Sequence, residues 1–235
     1  MVPLEFTTTA CNRPEILHRT YRSFTNGLQG VDWKQSTLYI NIDPAPNNTR
    51  IDLVEKVARQ YFGTVITNYP EEANFAKAVI WCFSQPKNKF FFHLEDDWLL
   101  NVKVDVPKMI KMAETDPSIH QMVFEQRVIE HPNEPTFVPS LHRTEHTKLF
   151  LPHMSPNLNP EAQVKKLYKM WNSQNKVRFK YPIVGRNIVT DIGRTWLKNK
   201  GLRRDYERTR QFSGKGHPKG WTPWISWDTT FYRGS

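Results

Sequence analysis

Three phenylalanines, Phe90 to Phe92, lead through His93 and Leu94 into three consecutive carboxylates, Glu95, Asp96 and Asp97. A continuous apolar run of this length, rich in aromatics, reads as a strand covered on both faces. Carboxylates at the end of a buried strand repel one another unless a cation or several hydrogen-bond donors sit among them. Mg²⁺ and Mn²⁺ suit such a group, because they take oxygen ligands and often arrive with a substrate phosphate. The alternative is a strand that ends in a solvated acidic turn.

The chain before this run alternates. Leu4 to Ala10 is strand-like, rich in Phe and Thr. Asn12 is a candidate cap and Pro14 suits the first turn of a helix, whose apolar face is Leu17, Tyr21, Phe24 and Leu28. Asn26-Gly27 or Gly30 ends it. Ser36 to Ile42 is a second strand, followed by Asp43-Pro44 and a polar loop, Ala45 to Arg50. Ile51, Val54, Ala58 and Tyr61 mark a second helix, stopped at Gly63. Thr64 to Thr67 is a short third strand. Phe75, Ala76, Val79, Ile80 and Phe83 give a third helix before Pro86. The order β-α-β-α-β-α-β predicts a mostly parallel sheet with helices on its faces. Ligands in such sheets bind at the carboxyl ends of the strands. Thr9 to Arg13, Asp43 and Glu95 to Asp97 are therefore expected on one edge. No GxGxxG follows the first strand and no GxxxxGK[ST] occurs anywhere, so dinucleotide-fold and P-loop readings have no motif behind them.

Beyond the carboxylates, Val106, Met109, Ile110 and Ala113 fit a helix begun near Asp105, and Gln121 to Phe124 a strand ending at Glu125. Residues 130–160 are rich in Pro and His with weak periodicity, which predicts a long functional loop. Most of its histidines (His131, His142, His146 and His153) are expected to be ordinary polar loop residues. Val164, Leu167, Tyr168 and Trp171 form the apolar face of a further helix, with Lys165, Lys166 and Lys169 on its other side. Tyr181 to Thr190 reads as one strand running to Asp191, and Arg194 to Lys200 as a short helix.

Charge is unevenly spread. Residues 1–160 carry 16 Lys/Arg and 18 Asp/Glu, and residues 161–235 carry 17 and 5. The formal charge of +10 therefore belongs to the last third. There, basic residues interleave with Trp221, Trp224 and Trp227, a composition that suits a polyanion such as nucleic acid. The alternative is a tail whose tryptophans fill the core. A 38% hydrophobic content is enough for a real core, so a disordered chain is excluded. No stretch approaches the ~20 apolar residues of a membrane span. The N-terminus lacks the basic start and apolar core of a signal peptide, so a cytoplasmic protein is expected. Two cysteines, Cys11 and Cys82, fit a reducing compartment.

Three segments together resemble the nucleotide-sugar glycosyltransferases of the GT-A fold, of the family-2-like kind. These are TTTACNRPEILHRTYRSF, INIDP, and FFFHLEDDWLL with a DxD-type motif in Glu-Asp-Asp form. HMSPNLNP resembles, more loosely, an acceptor-side loop of such enzymes. The resemblance implies an α/β chain forming a single GT-A-type domain, Rossmann-like, with a basic C-terminal acceptor-side region. Residues 1–125 would be the donor half and residues 126–235 the acceptor half. It further implies that Thr9, Ala10, Asn12, Arg13 and Asp43 hold the nucleoside of a UDP- or GDP-linked sugar, and that Glu95 and Asp96 serve the donor. Asp97 would bind Mn²⁺ or Mg²⁺, with Asp191 or His217 as the late ligand. Glu125 or Glu161 would be the general base.

The basic last third makes DNA carrying a hydroxymethylated pyrimidine, as in some bacteriophages, the expected acceptor; the enzyme would then work in the host cytoplasm. A cell-surface glycan or lipid-linked acceptor would use the same donor machinery. Two other classes stand beside this one. One is a carboxylate-metal nuclease or phosphotransferase, in which Glu95 to Asp97 and Asp43 hold two Mg²⁺ ions. The other is a non-catalytic nucleic-acid-binding protein with a structural acidic triplet.

Overall fold

The computed structural model describes residues 1–44, 51–124, 135–174, 179–185 and 187–199. In chain order the elements begin with β1 (Glu5–Cys11), α1 (Pro14–Gly27), β2 (Leu28–Gln29), β3 (Thr37–Asp43), α2 (Ile51–Tyr61), β4 (Thr64–Asn68), α3 (Phe75–Ser84) and β5 (Phe90–Glu95). They continue with β6 (Trp98–Leu100), β7 (Val104–Asp105), α4 (Val106–Thr115), β8 (Gln121–Phe124), β9 (Ser140–Arg143) and α5 (Thr144–Phe150). A 3₁₀ turn (Leu151–His153), α6 (Pro160–Ser173), β10 (Ile183–Gly185), β11 (Val189–Asp191) and α7 (Gly193–Asn199) complete them.

A seven-stranded sheet runs in the order β10-β8-β9-β5-β1-β3-β4. β1 lies parallel to β3 and β5, and β3 parallel to β4. β9 runs antiparallel to both β5 and β8. The alternating order of the first four long strands is thus realised as expected, and the sheet is mixed beyond β5. Short ladders pair β6 with β11 and β2 with β7.

The phenylalanine run is explained by two cores. Phe92 and Leu94 join Leu17, Tyr21 and Phe24 of α1, Val54 and Ala58 of α2, and Met109 of α4. Phe91 joins Val79 and Phe83 of α3, Phe150 of α5, and Val164 and Tyr168 of α6. Successive residues of β5 point to opposite faces, so a strand covered on both sides is apolar at every position. Phe91 and Phe92 are fully buried. Burying each such side chain contributes about 1.5–3 kcal/mol.

Several local expectations change. Arg13, not Asn12, takes the N-cap position of α1, with no side-chain capping bond. The 130–160 stretch is not structureless where it is described: it supplies β9, α5 and the start of α6. Tyr181 to Thr190 is two strands in different sheets, broken at Asn187 with a left-handed φ of 55°. Glu125, His217 and the aromatic basic tail lie outside the described residues. Cys11 and Cys82 are free and buried. Among the described residues, no helix is long and apolar enough to cross a membrane.

His142 and His146 also differ from expectation, lying on β9 and α5. His142 lies on β9, its Nε2 2.9 Å from Ser140 Oγ. Ser140 Oγ donates to the Val138 carbonyl, so His142 Nε2 is the protonated nitrogen. His93, His120 and His142 are buried, and their rings form a chain with His146 at centroid separations of 6.2, 6.0 and 5.8 Å. Burial pushes all four pKa values down, that of His93 to about 3; mutual repulsion and Arg143 add to the effect at His120.

A histidine held neutral in the fold binds its proton only on unfolding. Stability is therefore full above the unfolded value near 6.5 and falls as pH drops toward 3, by about 1.4 kcal/mol per pH unit for each such histidine. Urea denaturation between pH 7 and 4 should show this slope. His120→Phe, whatever its cost in absolute stability, should flatten it by about one proton; an unchanged slope would contradict a neutral His120.

Candidate active site

Because β1, β3, β4 and β5 are parallel, their carboxyl ends share one edge. Thr9 stands in register with Asn41 on one side and Glu95 on the other, and Asn41 with Asn68. The result is a polar row, Asn68-Asn41-Thr9-Glu95, across four strands. Asp43 lies two residues further along β3, opposite Cys11. Its Oδ1 accepts from Asn41 Nδ2 at 2.8 Å, and Asn41 Oδ1 accepts from Asn68 Nδ2 at 2.7 Å. Burial pushes the Asp43 pKa up to about 6, against the hydrogen bonds from the Asn41 side chain and the Asn74 backbone.

The three carboxylates after β5 have three different environments. Glu95 Oε2 accepts from the Trp98 indole at 2.8 Å. Asp96 is turned inward. Its carboxylate takes Arg13 Nη2 at 2.5 Å, Arg13 Nε at 3.2 Å and the Cys11 backbone N–H at 3.0 Å. Its carbonyl accepts from Thr20 Oγ1 at 2.8 Å. Asp97 shares Arg13 through one contact, Nη2 at 3.1 Å, and also lines an open cleft. Arg13 itself is 1% exposed. Burial alone would lower its pKa, but Asp96 and then Asp97 outweigh that, and the net direction is up. The Trp196 ring covers the guanidinium, its centroid 5.4 Å from Cζ, while its indole donates to Glu15 at 3.1 Å.

The β6–β11 ladder brings the late part of the chain to the same place. It sets Asp191 opposite Trp98, and the Ile192 N–H donates to the Asp97 carbonyl at 2.8 Å. Gly193 is required by this approach: a Cβ there would lie 2.0 Å from Asp97 Oδ2. Asp191 Oδ1 accepts from the Gly193 N–H at 2.9 Å, and Oδ2 pairs with Arg194 Nε at 3.4 Å. From the other side, Asn159 caps α6 by accepting from the Ala162 N–H at 2.9 Å, and Pro160 opens the helix. This sets Glu161 in the first turn, half-exposed and paired with Lys165 at 3.2 Å.

The cleft measures about 340 Å³. Glu95, Asp97, Glu161 and Asp191 line it, with Arg194 as the one cation among its described lining residues. Phe75, Trp98 and Phe137 supply an apolar wall. Thr9, Ala10, Asn12, Arg13, Asp43 and Asp96 are buried at the strand ends and do not line the cleft; Ala10 packs into the core of the α1 face. Sequence reasoning missed Asn41, Asn68 and Arg194. Asn41 was within reach, since residues two apart on a strand share a face and Asn41 is two before Asp43.

Among the described residues, no three His, Cys, Asp or Glu side chains are grouped to hold a metal ion. A closed structural site is therefore absent from them. Asp97 and Asp191 on one cleft do fit a cation of the Mg²⁺ type, which binds through one or two carboxylates and takes its other ligands from water and substrate phosphates.

The division of the triplet has a measurable consequence. Asp96→Asn leaves a buried guanidinium poorly compensated and should cost about 3 kcal/mol or more in urea denaturation. Asp97→Asn, which loses one charged contact, should cost about 1–2 kcal/mol. The reverse order would refute the assignment of Asp96 as the structural carboxylate.

No protein-family profile matches the chain, and no curated protein is similar to it in sequence. Solved structures are. TarS of S. aureus superposes with a TM-score of 0.55 at 12% identity, over 79% of this chain and 36% of TarS. The mannosyltransferase PcManGT of Pyrobaculum calidifontis, solved with GDP-Man and Mn²⁺, gives 0.56 at 9% identity, over 79% and 56%. HddC of Yersinia pseudotuberculosis gives 0.54 at 10% identity, over 90% of this chain and 100% of HddC. The chain thus matches about a third to a half of the length of TarS and PcManGT. With its mostly parallel sheet flanked by helices and its site at the strands' carboxyl edge, the chain has the GT-A-type fold.

Proposed function

We propose that this protein is a metal-dependent glycosyltransferase that moves a sugar from a nucleotide sugar to a hydroxyl acceptor. The observation that carries the reading is the cleft at the carboxyl edge, faced by Asp97 while its neighbour Asp96 is locked inward. The Mn²⁺- and GDP-mannose-bound neighbour of the same fold supports it.

In this reading residues 1–125 bind the donor. The nucleoside is assigned to the strand edge beneath which Thr9, Ala10 and Asn12 are buried, outside the cleft's lining, with Asp43, oriented by Asn41, as the candidate acceptor there. Arg13 and Asp96 act from beneath by holding Asp97 in place. Asp97 and Asp191 are the carboxylates that would hold Mn²⁺ or Mg²⁺; His217 is the rival late ligand. The bound cation supplies Lewis-acid stabilisation of the charge that gathers on the leaving diphosphate. The sugar occupies the cleft between the apolar wall and Glu95, which the Trp98 indole keeps oriented.

Residues 126–235 form the acceptor side. Glu161 faces the cleft and takes the proton of the acceptor hydroxyl as its oxygen bonds to the anomeric carbon and the carbon–phosphate-oxygen bond breaks. Glu125 remains the other candidate base. The charge of the last third supports a polyanionic acceptor, DNA carrying a hydroxymethylated pyrimidine, and the base would leave the stack to reach the cleft. In this reading the enzyme works in the cytoplasm, that of the host if phage-encoded. The two-metal nuclease reading gains nothing, since Asp43 does not line the cleft with Asp97.

A thermal-shift series with UDP- and GDP-sugars, each with and without Mn²⁺, tests the donor reading. One of them should raise Tm in a Mn²⁺-dependent way, with stabilisation of about 2.7 kcal/mol at 100 times Kd. Asp97→Asn should remove the Mn²⁺ dependence. No shift with any nucleotide sugar at millimolar concentration would sink the proposal. Transfer to a glycan with no affinity for duplex DNA would remove the DNA acceptor alone.

A further inference from the structure

An anionic diphosphate entering this cleft meets four carboxylates, Glu95, Asp97, Glu161 and Asp191. A cation from solution offsets part of that charge. Among the described lining residues, the protein's own cation is Arg194. Its Nε lies 3.4 Å from Asp191 Oδ2, and its side chain is 68% exposed. Asp191 is better fixed, 13% exposed and held by the Gly193 N–H on its other oxygen. Gly193, the residue before Arg194, lies against Asp97 Oδ2. The guanidinium therefore stands beside Asp191, and Asp97 lines the same cleft.

Exposed ion pairs contribute about 0–1 kcal/mol, so Arg194 leaves Asp191 at little cost. A guanidinium presents a planar fork that matches phosphate oxygens. Resting on the glycosyltransferase reading, we propose that Arg194 is the donor-phosphate ligand of this cleft, parked on Asp191 until a divalent cation takes that carboxylate. Cation and arginine compete for Asp191, and the cation's arrival releases Arg194 to the diphosphate. Metal and nucleotide are thus coupled through one side chain.

The exchange predicts effects of opposite sign from one substitution. In Arg194→Ala, Mn²⁺ alone should bind about 2–5 times more tightly, because its competitor is gone. UDP or GDP, whichever the wild type binds at saturating Mn²⁺, should bind about 10 times more weakly. Mn²⁺ binding is read by electron paramagnetic resonance and nucleotide binding by calorimetry. An unliganded Tm within about a degree of the wild type is expected from the exposure of the side chain. Loss of both affinities, loss of neither, or a change in only one overturns the exchange. A wild type that binds neither nucleotide with Mn²⁺ defeats the glycosyltransferase reading itself and this inference with it.

Discussion

The site depends on one buried guanidinium. Arg13 stands where β1 gives way to α1, and Asp96 where β5 ends, 83 residues later. Their forked pair, with the Cys11 N–H as a third donor, joins the carboxyl ends of two adjacent strands. A buried pair of this kind gives little net stability, because both charges leave water. Its value is geometric. With Asp96 turned inward and Asp97 touched by the same guanidinium, Asp97 remains on the cleft. Trp196 covering Arg13, and Gly193 against Asp97, then bring α7 to the same point. Three carboxylates in a row are tolerated because the Trp98 indole serves Glu95, the Cys11 N–H serves Asp96, and one guanidinium lies between Asp96 and Asp97.

Much of this was written in the residue pattern. The alternation of strands and helices through Glu95 predicted the parallel half of the sheet, since period-2 and period-3.6 apolar patterns leave few other packings. The doubly covered β5 followed from its three phenylalanines. What escaped depended on long-range pairing. Nothing local shows that β9 inserts between β5 and β8, so its segment looked like a loop, and His142 looked like a polar loop residue. Short elements with Pro and His give too few periods to read. Asn187, whose left-handed backbone splits one apparent strand into two, carries no signal stronger than any other asparagine in a polar stretch.

The candidate site was legible to a different degree. Asp97, Asp191 and Glu161, each a candidate from its own stretch of sequence, line one cleft. Strand ends could be placed on one edge by topology alone, but the late Asp191 arrives through the β6–β11 ladder, which sequence does not announce. Arg194 was passed over because an arginine near the start of a helix in a basic region carries no information until its neighbours are known. Asn68 needed the register of β3 and β4 before it became part of a relay through Asn41 to Asp43.

The proposed chemistry would follow from that division of labour: an inward carboxylate for architecture, outward ones that would hold a cation, and an apolar wall facing them. Diffraction from crystals soaked with MnCl₂ and UDP or GDP, recorded near the manganese edge, addresses the central point most directly. An anomalous peak bound to the Asp97 carboxylate, with Asp96 still on Arg13, is the predicted result. A peak on Asp96, or nucleotide bound in the cleft with no manganese at Asp97, would contradict the account.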